Sequence, residues 1–350
     1  MDPGDGIDVD DYLTIDAVEA TEPLQLRYNE NPLGPSPAAI EAVRTYSTWM
    51  HRYPGDPIRA LSKALADTWD VDRNQILLGP GAVGVIDTFS RAILDQDDRI
   101  LRPDPGFGYF ARSSQAHRGG DSTYRLRKAE GFELDAETVL DAYDGQPLLY
   151  INTPHNPTGA TVSHETIETV ATETSDETLV VVDEAYGPFS TQPSAVDLVG
   201  QYENIAILRT FSKSDGLAGM RVGYAIIPSG LAERHAEIRT AFSVSALSCV
   251  AALAALSDTE HRERSISIAR EGRTYMHEHI DAPTWPSDGN FVLVEVPDAT
   301  YVSDELEASG IMVRSGDVMG LPSMIRVTVG TPEQTRYVVD ELNRVIASCA

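Results

Sequence analysis

Short apolar runs alternate along most of the chain with segments that predict helices. The runs lie at 75–78, 98–101, 147–152, 178–183, 205–208 and 222–227. They are rich in Leu, Ile and Val, which predicts short strands that are buried on both faces. Such strands alternating with helices form a mainly parallel sheet covered by helices, so the sequence predicts an α/β fold.

Three regions of the chain differ in character. Residues 1–28 are acidic without sustained periodicity and predict an extended N-terminal arm, whereas residues 29–245 carry the alternating elements of a large domain. Residues 246–350 combine long charged helices with short strands, which predicts a small α+β domain that packs with the arm. The apolar run 241–256 falls short of the ~20 residues that span a bilayer. We therefore expect it to form a buried helix.

The composition is strongly acidic. Asp and Glu number 54 against 27 Lys and Arg, a net charge of −27, and the only lysines are Lys63, Lys128 and Lys213. This balance is typical of proteins from salt-accumulating halophiles, and it argues against a nucleic-acid partner. Cys249 and Cys349 have no metal-binding spacing, so no metal site is expected. The acidic N-terminus does not resemble a signal peptide, which favours a cytoplasmic protein without a membrane partner.

Lys213 stands directly after a predicted strand, in the turn Ser212-Lys-Ser-Asp-Gly216. A rigid scaffold therefore holds its amine at a strand end. An amine in a partly desolvated cleft can form a Schiff base with an aldehyde cofactor, because only the neutral amine attacks. In so lysine-poor a chain, this position predicts a reactive residue.

The segment Gly79-Pro-Gly-Ala-Val-Gly84 follows a strand and opens a predicted helix at 85–94. Backbone N–H groups at such a helix start bind phosphate. The segment also fits the dinucleotide fingerprint G-x-G-x-x-G, with Asp104 following the next strand, so a dehydrogenase is an alternative. That alternative places the motif too late in the chain and leaves Lys213 unexplained.

Two further strands end in polar motifs. Asp183 ends the predicted strand at 178–183, and Glu184, Ala185 and Tyr186 follow it. Asn156 lies in the loop after the strand at 147–152. Open α/β sheets bind ligands at the carboxyl ends of their strands. There a carboxylate can keep a pyridine nitrogen protonated, and a phenol can bond an adjacent oxyanion.

Together these motifs resemble the fold-type-I pyridoxal-phosphate-dependent aminotransferases over essentially the whole chain. Within that superfamily they are most similar to the histidinol-phosphate aminotransferase family, through the segments 29–37, 52–54, 210–224 and 325–333. The resemblance implies a large domain with a seven-stranded sheet, a small α+β domain, a pyridoxal 5'-phosphate cofactor and a homodimer with shared active sites. It also implies a ping-pong reaction of histidinol phosphate and 2-oxoglutarate to imidazole acetol phosphate and glutamate.

The resemblance also assigns site residues. Lys213 would form the aldimine and shuttle the proton, Asp183 would pair with the pyridinium nitrogen, and Tyr186 would bond the 3′ oxygen of the ring. The other cofactor-binding residues implied are Ala82, Val83, Phe107, Asn156, Thr210, Ser212 and Arg221, with Tyr53 reaching the phosphate from the partner subunit. The substrate-binding residues implied are Arg326, Arg314, Asn29 and Tyr12.

Two departures from the family pattern leave alternatives for the substrate. Val83 and Gly84 replace two acids that the family usually carries, and Tyr12 is the only echo of the segment that closes over the substrate. An aromatic amino acid aminotransferase and a threonine-phosphate decarboxylase therefore stay open as alternatives on the same scaffold. A regulator fused to a DNA-binding module is disfavoured by the short acidic arm and by the charge.

Overall fold

The computed structural model describes residues 23–349. Its strands are β1 (Leu24–Gln25), β2 (Ile76–Gly79), β3 (Arg99–Asp104), β4 (Gly120–Arg125), β5 (Leu148–Asn152), β6 (Leu179–Asp183), β7 (Ile205–Thr210), β8 (Gly223–Ile226), β9 (Thr284–Trp285), β10 (Phe291–Glu295), β11 (Ile311–Met312), β12 (Arg314–Ser315) and β13 (Met324–Thr328). Its helices are α1 (Pro37–Tyr46), α2 (Gly55–Trp69), α3 (Gly81–Ile93), α4 (Tyr109–Ala116), α5 (Ala136–Leu140), α6 (His164–Glu173), α7 (Val196–Val199), α8 (Ser229–Glu233), α9 (His235–Ile238), α10 (Ala246–Ser257), α11 (Thr259–His279), α12 (Ala299–Ala308) and α13 (Pro332–Ser348).

A seven-stranded sheet in the order β2-β8-β7-β6-β5-β3-β4 forms the centre of the fold. Strands β4, β3, β5, β6 and β7 are parallel, and only β8 runs against its neighbours β7 and β2. Every residue of β5 and β6 is buried, because helices cover both faces of the sheet. The predicted α/β fold with a mainly parallel sheet is confirmed.

The strand β4 has no apolar run in the sequence. It pairs only with β3 and therefore forms an edge of the sheet. Of its side chains only Tyr124 is buried, and the Tyr124 hydroxyl donates to the Tyr150 carbonyl at 2.8 Å. An edge strand exposes most of its residues to solvent, so hydrophobic pattern alone does not reveal it.

The helix α3 begins at Gly81, four residues before the predicted start. Gly81 has a φ of +74°, which a glycine adopts without strain, and this turn leads the chain directly from β2 into the helix. Ala82 and Val83 consequently lie in the first turn, where backbone N–H groups have no partner within the helix. The early start therefore brings both residues to the phosphate-binding end of the helix.

The run 241–256 contributes the helix α10, which packs against α1 and α2 in the core on one face of the large sheet. Its buried side chains are small, among them Cys249, Ala251 and Ala252, and they allow close helix packing. The prediction of a buried helix at this position is confirmed. Within residues 23–349, no helix combines the length and the apolar character needed to cross a membrane.

A second core surrounds the four-stranded antiparallel sheet β12-β13-β10-β9. The short strand β1 pairs with β11 beside this core, and Leu26 continues the contact by donating from its N–H to the Met312 carbonyl at 2.8 Å. Leu26 also accepts from the Thr328 N–H at 2.9 Å. The start of the described chain is thus fixed to the smaller sheet, while the division into domains at 28 and 245 stays a prediction.

Nearly all acidic side chains of the described residues lie at or near the surface, and only Asp183, Glu184 and Asp215 are buried. The excess negative charge of the described residues is consequently concentrated on the exterior, where like charges repel one another across the folded protein. Salt screens this repulsion over a Debye length of about 8 Å at 0.15 M and about 3 Å at 1 M.

We expect the free energy of unfolding to rise as KCl increases from 0.1 M to 2 M, because screening removes repulsion that acts mainly in the compact state. Urea unfolding followed by circular dichroism at each salt concentration measures the change. Sucrose at matched osmolality serves as the control, since it stabilises without screening charge. Full stability in low-salt buffer would contradict the prediction.

Candidate active site

A cavity of about 370 Å³ opens at the carboxyl edge of the large sheet. The strands β5, β6 and β7 end there side by side and place Asn152, Asp183 and Thr210 on its wall. Parallel strands all present their carboxyl ends at the same edge, which is where open α/β sheets bind ligands. The topology therefore gathers motifs that are far apart in the sequence.

The predicted cofactor residues, with the exception of Tyr53, surround this cavity. They are Ala82, Val83, Phe107, Asn156, Asp183, Tyr186, Thr210, Ser212, Lys213 and Arg221. Tyr53 is 83% exposed and stacks on Phe242 with ring centroids 5.1 Å apart, so it does not contact the cavity of its own chain. Tyr12 lies outside the described residues.

Lys213 projects its amine into the cavity and donates to the Tyr28 carbonyl at 2.7 Å. Burial and the positive charge of Arg326 together lower the pKa of Lys213 to about 7, while the negative charge of Glu30 acts in the opposite direction. A substantial fraction of the amine is therefore neutral near pH 7. This is the protonation state that nucleophilic attack on an aldehyde requires.

Asp183 lies at the end of β6 with both carboxylate oxygens bonded. Asn152 Nδ2 donates to Oδ2 at 2.7 Å, and the Ala185 N–H donates to Oδ1 at 3.0 Å. Burial raises the pKa of Asp183 to about 6, and these two donors oppose the effect of burial. The arrangement gives a fixed acceptor at the bottom of the cavity that is suited to a protonated ring nitrogen.

Asn29 connects the N-terminal segment to the tyrosine of the site. Its Nδ2 donates to the Tyr186 hydroxyl at 2.9 Å, and its Oδ1 accepts from Thr328 Oγ1 at 3.0 Å. Asn29 and Thr328 are each only 1% exposed. Asn29 thus orients the phenol of Tyr186 from the side of the smaller sheet and is not itself among the residues that line the cavity.

Arg326 lies directly behind Asn156, on the strand β13. Its Nη1 donates to Asn156 Oδ1 and its Nη2 donates to the Arg27 carbonyl at 2.7 Å, whereas its Nε is buried without a partner. Burial lowers the pKa of Arg326 to about 10. The guanidinium is consequently held in one orientation, and its Nε–H is available to donate a further hydrogen bond.

Arg314 is the residue opposite Arg326 in the antiparallel pair β12 and β13. Neither arginine forms an ion pair within the described part of the chain. The positive charge of Arg314 contributes to the lowered pKa of Arg326, so the two guanidinium groups interact unfavourably. Two adjacent cations without an acidic partner are chemically suited to binding an anion.

The other end of the cavity is a cradle built on glycines. A methyl group at Gly81 would approach Arg221 Nη2 to 2.5 Å, and one at Gly223 would approach the Ala82 nitrogen to 2.5 Å. Arg221 itself adopts a left-handed conformation, with a φ of 51°, and lines the cavity. The missing side chains leave the backbone of α3 and the guanidinium accessible from the cavity.

The hydroxyl groups of Thr210 and Ser212 complete this cradle. Thr210 Oγ1 donates to Ser212 Oγ at 2.9 Å and accepts from the Ser212 N–H at 3.1 Å. Phe107 forms an adjacent wall and is held edge-on by Phe110, with ring centroids 5.5 Å apart. Hydroxyls, helix N–H groups and a guanidinium together provide the donors that a phosphate group needs.

Several residues on the cavity wall had no predicted role. Tyr28 and Glu30 lie at its rim, and Asn152 lies beside Asp183. Asn152 occupies the last position of a buried strand, where an apolar residue is the usual choice, and this exception is a signal in the sequence. Tyr28 and Glu30 belong to a turn whose sequence does not show which way they face.

The set of groups fits pyridoxal 5'-phosphate in chemical terms. The amine of Lys213 suits the aldehyde, the carboxylate of Asp183 suits the pyridine nitrogen, and the glycine-lined cradle suits the phosphate. A dinucleotide would leave the amine without a function. The part of the chain that the structure describes contains no group of three His, Cys, Asp or Glu residues arranged to hold a metal ion.

Comparison with known proteins places these groups in a family. The sequence profile of the family "Aminotransferase class I and II" matches residues 21–342. A histidinol-phosphate aminotransferase of Haloferax volcanii is 48% identical over 323 residues, which cover 92% of this chain and 90% of that protein. Another from Methanosarcina barkeri is 39% identical and covers 90% and 87%. Relatives from halophilic archaea confirm the resemblance to halophile proteins.

Solved structures agree with this placement. A histidinol-phosphate aminotransferase from Sinorhizobium meliloti, in complex with pyridoxal-5'-phosphate, superposes with a TM-score of 0.87 at 26% identity and covers 96% of this chain and 94% of its own. An aspartate aminotransferase from Thermus thermophilus superposes with a TM-score of 0.80 at 21% identity, covering 94% and 93%, and supports the fold alone. The profile match and the sequence relatives show that the chain belongs to the class I and II aminotransferases.

Proposed function

We propose that this protein is a pyridoxal-phosphate-dependent aminotransferase that converts histidinol phosphate and 2-oxoglutarate to imidazole acetol phosphate and glutamate. The observation that carries the proposal is the pair of cations Arg326 and Arg314 on adjacent strands, of which Arg326 lies close enough to the amine of Lys213 to lower its pKa. A phosphorylated amino alcohol offers both the amine and the anion that these groups require. The names of the relatives that share most of this sequence support the same substrate.

When bound, pyridoxal phosphate supplies an aldehyde that accepts an amine and a ring that withdraws electrons from the adjacent carbon. Asp183 would hold a proton at the ring nitrogen through its buried carboxylate. Tyr186 and Asn156 would bond the ring oxygen, and the phosphate would be held by Thr210, Ser212, Arg221 and the N–H groups of Ala82 and Val83. Lys213 Nζ would take the proton from the substrate carbon that bears the amine and deliver it to the cofactor carbon that carried the aldehyde.

The two arginines would serve both halves of the reaction. Arg326 can bind a phosphate or a carboxylate with two parallel hydrogen bonds, because its fork is planar and already oriented by Asn156. Histidinol phosphate presents a phosphate there in the first half-reaction, and 2-oxoglutarate presents a carboxylate in the second. Arg314 adds a second positive charge for the more highly charged phosphate.

The function is tested by spectral titration of the cofactor-loaded protein in high salt. Histidinol phosphate and glutamate, added separately, should each remove the yellow absorbance, whereas phenylalanine and O-phosphothreonine should not. Conversion by phenylalanine and glutamate alone would indicate an aromatic aminotransferase. Release of carbon dioxide from O-phosphothreonine would indicate a decarboxylase, and a protein that binds no cofactor would contradict the proposal altogether.

Replacing Arg326 by Lys should weaken substrate capture far more than cofactor binding. We expect the KM for histidinol phosphate to rise about 10- to 100-fold, because a charge-assisted hydrogen bond contributes about 1.5–3 kcal/mol and a point charge cannot form the planar fork. Steady-state kinetics and fluorescence titration with pyridoxal phosphate measure the two effects.

Arg344→Lys is a matched control for this change, since Arg344 lies on α13 and pairs with Glu341 at 2.9 Å at the surface. It should alter neither the KM nor the affinity for the cofactor. Equal losses of substrate and cofactor affinity in Arg326→Lys would mean that Arg326 supports the cofactor site instead of the substrate.

A homodimer belongs to the same proposal. Large apolar side chains are exposed, among them Met50 at 67% and Tyr53 at 83%. A groove of about 350 Å³ is lined by Ile40, Val43 and Leu217, and it adjoins the cavity at Gly219. An exposed apolar surface of this kind is typical of a protein interface. A second copy of the chain would cover it and bring its own Tyr53 to the phosphate cradle.

We expect light scattering in 2 M KCl to give twice the chain mass of 38.1 kDa. Tyr53→Ala should lower the affinity for pyridoxal phosphate about tenfold, the effect of losing one hydrogen bond to a charged group. Tyr301→Ala, which removes another exposed tyrosine from α12, should leave that affinity unchanged. A monomer with unimpaired cofactor binding would contradict the shared site.

A further inference from the structure

The carboxylate of Asp183 has an unusual neighbour on the adjacent strand. Asn152 and Asp183 are direct partners across the parallel pair β5 and β6, each at the last position of its strand. Asn152 is only 3% exposed, and its Nδ2 lies 2.7 Å from Asp183 Oδ2. Because both residues end strands in the middle of the sheet, their backbones hold this contact in place.

The orientation of the Asn152 amide shows which group it serves. Its Oδ1 is buried and has no hydrogen-bond partner, whereas its Nδ2 bonds the carboxylate. An ionised carboxylate only accepts hydrogen bonds, so the amide must present its nitrogen to Asp183. A buried carbonyl oxygen without a partner is unfavourable, and the bond to a charged acceptor offsets that cost.

The surroundings of Asp183 leave few other groups that favour its ionised form. The Ala185 N–H donates to Oδ1 at 3.0 Å, and the positive charge of Lys213 also favours the carboxylate. Glu184 opposes ionisation, as does burial itself. The phenols of Tyr150 and Tyr186, which also lie near Asp183, are neutral because burial raises their pKa values. Asn152 is therefore one of two uncharged donors to the carboxylate.

We propose that Asn152 is a positioning residue that keeps the Asp183 carboxylate ionised and directed toward the ring nitrogen of the cofactor. Asn152 acts through Asp183. It sets the strength of the hydrogen bond that this carboxylate accepts from the protonated ring nitrogen. The effect of Asn152 on cofactor binding rests on the proposed function, whereas its effect on the ionisation of Asp183 does not depend on any cofactor. The two effects can therefore be measured separately.

The first measurement follows the carboxyl carbon of Asp183 by 13C NMR in the cofactor-free protein, in high salt, between pH 4 and 9. The signal is assigned by its loss in Asp183→Asn. In Asn152→Leu, which removes the donor and keeps the volume, we expect the midpoint of this titration to rise by at least one pH unit. Asn152→Ala, which also removes the donor and adds no charge, should raise it as well and replaces the leucine variant if that one does not fold.

Asn204→Leu is the matched control, because Asn204 is also a buried asparagine and its Nδ2 bonds the Ala171 carbonyl at 2.9 Å, away from the cavity. It should leave the titration of Asp183 unchanged. A midpoint in Asn152→Leu, or in Asn152→Ala where that variant replaces it, that equals the midpoint of the unsubstituted protein would overturn the proposal.

The second measurement compares the affinity for pyridoxal phosphate with that for its analogue in which a CH group replaces the ring nitrogen. The unsubstituted protein should prefer pyridoxal phosphate, and Asn152→Leu should reduce this preference at least tenfold. Equal loss of affinity for both compounds would overturn the proposal, since a purely structural role affects both alike. If the unsubstituted protein binds neither compound, the proposed function fails, and the NMR titration still decides whether Asn152 controls Asp183.

Discussion

Replacing Lys213 by Ala should abolish covalent attachment of pyridoxal phosphate and lower the turnover number by at least about 10⁴-fold, since one side chain supplies both the nucleophile and the proton carrier. The amine of Lys213 lies in the cavity with a pKa near 7, so it is reactive at neutral pH. Borohydride reduction followed by peptide mass analysis locates the attached cofactor, and stopped-flow absorbance measures the residual reaction.

The scarcity of lysine provides unusually clean controls for this experiment. Lys63 and Lys128 are the only other lysines in the chain, and both form ion pairs at the surface, with Asp67 at 2.6 Å and with Glu295 at 2.7 Å. Lys63→Ala and Lys128→Ala should retain full attachment and activity. Reduced cofactor found on either of these residues in the Lys213→Ala protein would overturn the assignment of Lys213.

Replacing Asp183 by Asn should have opposite effects on catalysis and on the stability of the cofactor-free protein. Without the carboxylate the ring nitrogen loses the group that keeps it protonated, and we expect the turnover number to fall about 10²- to 10⁴-fold. The same substitution removes a buried negative charge that has no cation bonded to it, so the cofactor-free protein should become more stable at neutral pH.

The pH dependence of this stability follows from the raised pKa of Asp183. In the folded protein it titrates near 6, against 3.8 for the unfolded chain, so the folded state holds a proton more tightly between these values. The free energy of unfolding therefore falls as the pH rises from about 4 to 6 and stays low above 6. With a shift of about two units and 1.36 kcal/mol per unit, the loss is about 3 kcal/mol.

Urea unfolding of the cofactor-free protein at pH 5 and pH 8, in high salt, measures this effect. Asp183→Asn should be more stable than the unsubstituted protein at pH 8 by about 2–3 kcal/mol and by roughly half as much at pH 5. Asp121→Asn is the matched control, because Asp121 is ion-paired with Arg102 at 2.7 Å and should lose stability instead. If Asp183→Asn and the unsubstituted protein are equally stable at pH 8, the cofactor-free site already compensates the Asp183 charge.

The sheet was predictable where its strands are buried, since an apolar run such as 179–183 needs no knowledge of its partners. The order of the strands was not, because it depends on crossovers that bring β8 between β7 and β2. The edge strand β4 gave no signal, because Tyr124 is the only one of its residues that is buried. Local sequence predicts an element best when the element is fully buried, because most of its residues must then be apolar.

Most of the reactive residues of the site could be predicted from the sequence, because they lie at or after strand ends. Lys213, Asp183 and Asn156 each follow a predicted strand, and parallel topology gathers such positions at one edge. The contacts among them were not readable. The bond from Asn29 to Tyr186 joins residues 157 positions apart, and the bond from Arg326 to the Arg27 carbonyl joins residues 299 apart. Contacts between residues so far apart in the sequence depend on tertiary packing.

The segment from Leu24 to Asn29 is bonded to the smaller core through the pairing of β1 with β11 and through Leu26. The Arg27 and Tyr28 carbonyls accept from Arg326 and Lys213, and Asn29 donates to Tyr186. Six consecutive residues thus connect the smaller core to the reactive amine without an intervening flexible loop. Any rigid-body displacement of the smaller sheet must therefore stretch or release the bond between Lys213 Nζ and the Tyr28 carbonyl. In this way the N-terminal segment would couple the reactivity of the amine to the relative motion of the two cores.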